Sequence, residues 1–351
     1  MVNTLMFLAA LALLYGGLLW WGVRRLPAER WQIAASIPVG QPQGGHWRGV
    51  NLTFYGLFTA NAVLIAALVT LTMLGSLGLS PFESLVLVMP LLSLSAPGAR
   101  LVARWVEKKS ATLTVAGASF IALLLAPWAI LLGRACLGWD THPQVQVVPV
   151  MAALVVGWTL GEGLGRLACL SFGCCYGKRL DQCPAWARRL LGRWPLVFTG
   201  PTKKIAYEAG LEGQAVLPVQ ALTSLVYGAA GLAALYLFLQ GHFRLSLSLG
   251  IILAGGWRVF SETLRADYRG GGRLSAYQWM FLAAMPYCLL MILLFPAAAA
   301  PSPALAAGLQ VLWSPAVVLV LQGLWLATLL YTGTSRVTAA TIEFHVVRER
   351  I

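Results

Sequence analysis

The chain reads as an all-α integral membrane protein of about nine transmembrane helices. Of its 351 residues, 59% are hydrophobic and only 11% are charged, whereas a soluble domain carries roughly 25% charge. Mean hydropathy is +0.76. Several apolar runs also reach the roughly 20 residues that cross about 30 Å of hydrocarbon as a helix. Backbone in lipid must satisfy its own hydrogen bonds, so these runs are read as a helical bundle.

The expected spans are 3–23, 52–79, 84–104, 111–133, 147–170, 217–240, 245–265, 277–298 and 308–332. The first has no positive charge ahead of it, and Arg24 and Arg25 follow it, which favours a retained anchor over a cleaved leader. The third is the weakest, interrupted by Pro90 and Pro97. Residues 24–49 read as a short polar connection, with Pro38, Pro42 and Gly44–Gly45 as turn signals. The segment 171–216 is the only sizeable stretch outside the spans. It reads as a small head rich in basic and aromatic residues, among them Trp186, Arg188, Arg193, Trp194, Lys203, Lys204 and Tyr207. An Ala/Pro-rich patch at 296–307 links the last two spans.

A net charge of +13 would suit nucleic acid in a soluble chain, but with this hydropathy it belongs to loop arginines that set topology. All Lys and Arg except Arg134 and Arg244 fall in loops on one face. The positive-inside rule makes that face cytoplasmic and the N-terminus external. Neither a cofactor nor a metal is expected. The six cysteines form no CxxC pair, and the four histidines lie far from them in sequence. A disulfide at Cys183 is open only if the head lies outside the cytoplasm.

Charged residues inside membrane helices are costly and point to function, and two clusters qualify. In the first, Gly157, Gly161 and Gly165 recur every fourth residue, with Glu162 and Arg166 placed to pair at i and i+4. Cys169, Gly173, Cys174, Cys175 and Gly177 follow in a glycine-bearing turn. The bland reading is helix packing plus an ion pair at the membrane boundary. In the second, Arg258, Glu262 and Arg265 fall at i, i+4 and i+7 on one helix face. Two arginines and one carboxylate leave net positive charge, which suits a phosphate. The bland reading there is an Arg258–Glu262 pair with Arg265 snorkelling to the interface. Weaker signals are Tyr55-Gly56-Leu57, Pro218-x-Gln220 and Ser275-x-x-Gln278, each opening a span.

In this order, the clusters resemble the prolipoprotein diacylglyceryl transferases. These are seven-helix bacterial membrane enzymes that move the diacylglyceryl group of phosphatidylglycerol to a lipoprotein cysteine and release glycerol phosphate. The resemblance covers 50–298, with 171–216 as an inserted head. Residues 1–49 then form an extra N-terminal anchor and loop, and 299–351 an extra C-terminal helix and tail. It implies a multi-pass protein of the bacterial inner membrane with an anionic phospholipid and a lipoprotein precursor as partners.

By the same resemblance Arg166, Arg258 and Glu262 are catalytic, the arginines holding phosphate and Glu262 orienting Arg258 or acting as base. Tyr55, Gly165, Cys169, Gly173, Gly177, Gln220 and Arg265 would bind substrate, and Glu162 and Cys174 are further acid–base candidates. Several family positions differ. Cys169 stands for the signature asparagine, Cys174 for a glutamate, Leu217 for a histidine and Thr223 for a glutamate, and Val115–Ala118 contains no histidine. The family's site and head face the periplasm, opposite to the side that the charge count assigns. Transfer to another acceptor, or lipid binding alone, stays open as the second reading.

Overall fold

The structure is a computed structural model that describes residues 2–107, 115–137, 145–268, 274–295 and 302–351. Among these, nine helices are long and apolar enough to cross a membrane. They are α1 (Val2–Arg25), α2 (Phe54–Ser76), α3 (Pro81–Glu107), α4 (Val115–Leu137), α5 (Val147–Phe172), α8 (Val219–Leu239), α9 (Phe243–Glu262), α10 (Ala276–Leu294) and α12 (Pro315–Gly333). Each overlaps an expected span. Lys108, Lys109, His142, the start of the 111–133 span and most of the 296–307 patch lie outside the described residues.

The fifth helix is the axis of the bundle. Of the α5 span 89% is buried, against 11% for α1 and 17% for α12, so the extra first and last spans form the periphery. Gly157 and Gly161 explain the close packing of α5 on α2. A Cβ at Gly157 would lie 2.7 Å from the Ala66 carbonyl oxygen, and one at Gly161 would lie 2.9 Å from that of Ala62. Removing Cβ at a four-residue spacing lets the two backbones touch. Helix α3 runs through both Pro90 and Pro97 without ending. A spanning helix tolerates such breaks because neighbouring helices and side chains satisfy the freed carbonyls.

The polar groups of the candidate site lie at one end of the bundle. Helix α5 ends there on Gly173, left-handed at φ 72, and α2 begins there, capped by Thr53. Between α5 and α8 the head contains α6 (Ala185–Leu191), α7 (Lys204–Ala209) and a two-stranded pairing of β3 (Leu196–Val197) with β4 (Ala215–Val216). Trp186, Trp194 and Tyr207 are exposed on it. Lys203 does not join them, contrary to its expected place among surface cations. It is fully buried, and its Nζ donates to the Leu26 and Ser171 carbonyls at 3.2 and 2.6 Å. Cys183 is also buried, its thiol 3.1 Å from the Arg179 carbonyl.

A three-stranded antiparallel sheet on the same end replaces the polar connection expected at 24–49. Strand β1 (Ile33–Gln43) pairs with β2 (His46–Thr53), which pairs with β5 (Thr334–Glu343). The Gly44–Gly45 signal marks the hairpin turn, with φ of 60 and 84 as a two-residue turn requires. Pro38 and Pro42 are tolerated because β1 is an edge strand. Asn51 ties the sheet across its width, accepting from Ser36 at 2.6 Å and donating to Thr338 at 3.1 Å. Helix α11 (Leu305–Val311) lies at the opposite end, where Ala304 donates to the Ser76 carbonyl.

Candidate active site

A cavity of about 290 Å³ opens between α2, α3, α4 and α5. Most of its wall is apolar, from Met151 and Thr70 at one end past Leu91, Leu123 and Ala66. Its other end, at the start of α2 and the end of α5, is polar and carries Tyr55, Glu162, Arg166 and Cys169. Gly165 lies on this wall with only Ala62 near its missing Cβ, at 3.6 Å. The glycine stripe therefore divides. Gly157 serves helix contact, Gly161 serves both contact and cavity, and Gly165 keeps the cavity open.

Behind the polar end, the two charged clusters meet. Arg166 pairs with Glu162 on α5, and Arg258 reaches the same Glu162 oxygen from α9 at 3.4 Å. Arg258 also lies 3.4 Å from Glu262, and Arg265 lies 3.2 Å from that same carboxylate oxygen. The Trp158 indole donates to the other Glu162 oxygen at 2.8 Å, so both oxygens of Glu162 are engaged. Glu262 differs: its Oε2 is buried and has no partner among the described residues, as do the Nε atoms of Arg166 and Arg258 and the Tyr227 hydroxyl. Unpaired buried polar atoms are costly, and their grouping marks a place that a guest can satisfy.

Arg265 departs from expectation in two ways. Helix α9 ends at Glu262, so Arg265 sits in the following turn and not on the helix face. Its guanidinium is held bidentately by Asp267, at 2.7 and 2.6 Å. With Glu162 and Asp267 included, three guanidinium groups face three carboxylates, and the excess positive charge expected of Arg258, Glu262 and Arg265 is cancelled within the described residues. Burial opposes the Arg265 charge, but Cys175, Asp267 and Glu262 outweigh it and hold the guanidinium well above its ordinary pKa.

The remaining expected residues support these groups. Gln220 donates to the Cys174 carbonyl at 2.9 Å and so holds the turn after α5. Gly177 bridges to Arg265 and presses on Leu217, while a Cβ at Gly173 would sit 3.1 Å from Ile205. Neither glycine lines the cavity. Ser275 and Gln278 form a capping box for α10, and Gln278 also donates to the Val259 carbonyl at 2.8 Å. Thr223 accepts the Trp257 indole proton at 3.0 Å. Sequence reasoning passed over Trp158, Tyr227 and Asp267. Trp158 and Asp267 lie next to Gly157 and two residues after Arg265 with no spacing signal of their own, and Tyr227 had no local signal at all.

Three cysteines gather beside Tyr55 and Arg166. The chain leaves α5 through Gly173 and then Cys175, a non-glycine residue at φ 58, a conformation that costs about 1–3 kcal/mol. This turn folds Cys174 and Cys175 back over Cys169. The sulfurs of Cys169 and Cys175 are 3.8 Å apart, those of Cys174 and Cys175 are 3.9 Å apart, and all three lie within 4.8 Å. Hydrogen bonds shared with Cys169 and Cys175, then burial, hold the Cys174 thiol well above its ordinary pKa. No CxxC spacing is present, yet the turn brings these three sulfurs together.

A search of curated proteins found no match. The family model described as prolipoprotein diacylglyceryl transferase matches residues 46–296, a stretch that holds the cavity, both charged clusters, the head and the cysteine turn. The chain is thus a member of the prolipoprotein diacylglyceryl transferase family.

Proposed function

We propose that the protein transfers a diacylglyceryl group from an anionic phospholipid, phosphatidylglycerol by family analogy, to a thiol such as that of a lipoprotein precursor. The observation that carries this is the cavity's polarity. A long apolar wall of α2–α5 suits acyl chains, and its polar end abuts a buried cluster with unused guanidinium nitrogens. Arg166 and Arg258 hold the phosphate and stabilise the charge that builds on it as the carbon–oxygen bond breaks. Glu162, engaged on both oxygens, aligns the two arginines. Glu262 keeps one oxygen available and takes the thiol proton. Arg265, occupied by Asp267, holds Glu262 and the turn in place instead of recruiting lipid.

The second reading, lipid binding without transfer, draws support from Leu217 and Thr223 standing at two of the family's polar positions and from the internal neutrality of the cluster. Complementation separates the two. In a bacterium depleted of its own enzyme, the protein restores lipidation of a reporter lipoprotein, and Arg166→Ala and Arg258→Ala each abolish it. A well-expressed protein that retains phosphatidylglycerol without restoring lipidation favours the second reading. Cys183 is too buried to report sidedness, so a cysteine replacing exposed Trp194 serves with an impermeant thiol reagent. Labelling from the periplasm fits the lipoprotein acceptor, and labelling only from the cytoplasm moves the acceptor to a cytoplasmic thiol.

A further inference from the structure

Cys169, Cys174 and Cys175 remain unused by this mechanism, although they adjoin the cavity. A zinc–sulfur bond of about 2.3 Å places tetrahedral ligand sulfurs about 3.8 Å apart. Two of the three sulfur separations are 3.8 and 3.9 Å, and the third is within 4.8 Å. Structural zinc sites use four protein ligands, whereas three plus an open position is the pattern of catalytic zinc. Among the described residues no fourth His, Cys, Asp or Glu joins this group. Cys169 lines the polar end of the cavity beside Arg166. Gln220, 1% exposed, holds the Cys174 carbonyl through its Nε2, while its buried Oε1 has no partner among the described residues. Arg265 and Lys204 lie within electrostatic reach of Cys175, so two cations, paired with Asp267 and Glu208, adjoin the three thiols.

We propose that Cys169, Cys174 and Cys175 bind a zinc ion through three thiolates and leave its fourth position for the acceptor thiol. The metal site stands apart from the function proposed above; the identity of the fourth ligand rests on that function. Zinc coordination deprotonates a thiol, which supplies the activation that Leu217 cannot. The acceptor S–H gives its proton to the carboxylate base, and the zinc-bound sulfur forms a bond to the glyceryl carbon. The carbon–oxygen bond to phosphate breaks, its electron pair stays on the phosphate oxygen, and glycerol phosphate leaves.

The test uses the full-length protein in lipid nanodiscs, with elemental analysis and cobalt(II) exchange. The wild type is expected to retain about one zinc per chain after dialysis, and Cys169→Ser/Cys174→Ser to lose at least nine-tenths of it. Cys183→Ser, outside the group, should keep the metal. Exchanged cobalt should show thiolate charge-transfer absorption that rises by about a third when a short cysteine-containing peptide supplies a fourth thiolate. If the serine variant does not fold, zinc-dependent protection of the three wild-type thiols from a maleimide gives an equivalent reading. Absence of stoichiometric zinc, metal unaffected by the substitutions, a disulfide among the three cysteines that persists after reduction and reloading with zinc, or a cobalt spectrum indifferent to the peptide each overturns the proposal. Zinc and peptide binding without lipidation from phosphatidylglycerol vesicles would retain the site and defeat the transferase reading instead.

Discussion

Arg258, on α9, reaches across the bundle to Glu162 on α5, 3.4 Å from the oxygen that Arg166 already engages. Two cations from different helices thereby share one anion, and all three side chains are at most 9% exposed. Removing the carboxylate leaves two buried guanidinium groups facing each other. Glu162→Gln should therefore cost about 3–5 kcal/mol of stability, read as a lowered thermal midpoint in detergent. Glu162→Gln combined with Arg166→Met should recover part of that loss, because the second change removes one orphaned charge. Additive losses would show that the two residues do not act as a pair.

The arginines are expected to work as forks and not merely as charges. One preorganised donor is worth about 2.7–4 kcal/mol in the transition state, or about 100- to 1000-fold in rate. Arg166→Ala and Arg258→Ala should each lose at least that in lipidation rate. Lysine should rescue poorly at either position, since an ammonium cannot bind phosphate bidentately. Arg265→Lys should lower the thermal midpoint more than the rate, because its two shortest bonds go to Asp267 and only a third, at 3.2 Å, reaches Glu262. Full rescue of Arg258 by lysine would remove the planar clamp from the mechanism.

What was legible from sequence follows from the range of the forces involved. Span length and hydropathy are local, and all nine helices could be read from them, including α3 with its two prolines. The i, i+4 pairs Glu162–Arg166 and Arg258–Glu262 are local as well. That Glu162 also binds Arg258, 96 residues away, depends on how α5 and α9 pack, which no periodicity encodes. The sheet was missed for the same reason: His46 pairs with Glu343 across nearly the whole chain. In β2, moreover, the buried positions are Gly49, Asn51 and Thr53, which disguises the alternation. The cysteine group was hidden by backbone conformation, since only the left-handed turn at Cys175 brings it back to Cys169.

The divided glycine stripe gives a prediction that separates packing from cavity. At Gly157 a new Cβ meets the Ala66 carbonyl at 2.7 Å and strikes Thr70, so α2 and α5 must part. Gly157→Ala should cost about 1–3 kcal/mol. At Gly165 the nearest atom is Ala62 Cβ at an ordinary 3.6 Å, and Gly165→Ala should leave the thermal midpoint almost unchanged. Gly165→Leu would project into the cavity and should lower phospholipid retention without unfolding the protein. A large loss of stability from Gly165→Ala would show that this wall is packed and not open.

Lys203 supplies a pH test of the joint between the head and the bundle. Its ammonium bridges the Leu26 and Ser171 carbonyls, and burial lowers its pKa from 10.5 to about 8. Below that value both folded and unfolded chains carry the proton, and the full cost of burying the charge is present. Between there and the unfolded value of 10.5 the unfolded chain binds more protons, so stability rises with pH. The gain is bounded at about 3 kcal/mol. Lys203→Met removes this titration while also leaving two carbonyls unsatisfied, so only the pH dependence of the difference is informative. Between about pH 7.5 and about pH 9.5, the wild type should gain thermal midpoint relative to the variant. A difference that stays flat, or that shrinks as pH rises, would mean that the buried lysine is not carrying a costly charge at neutral pH.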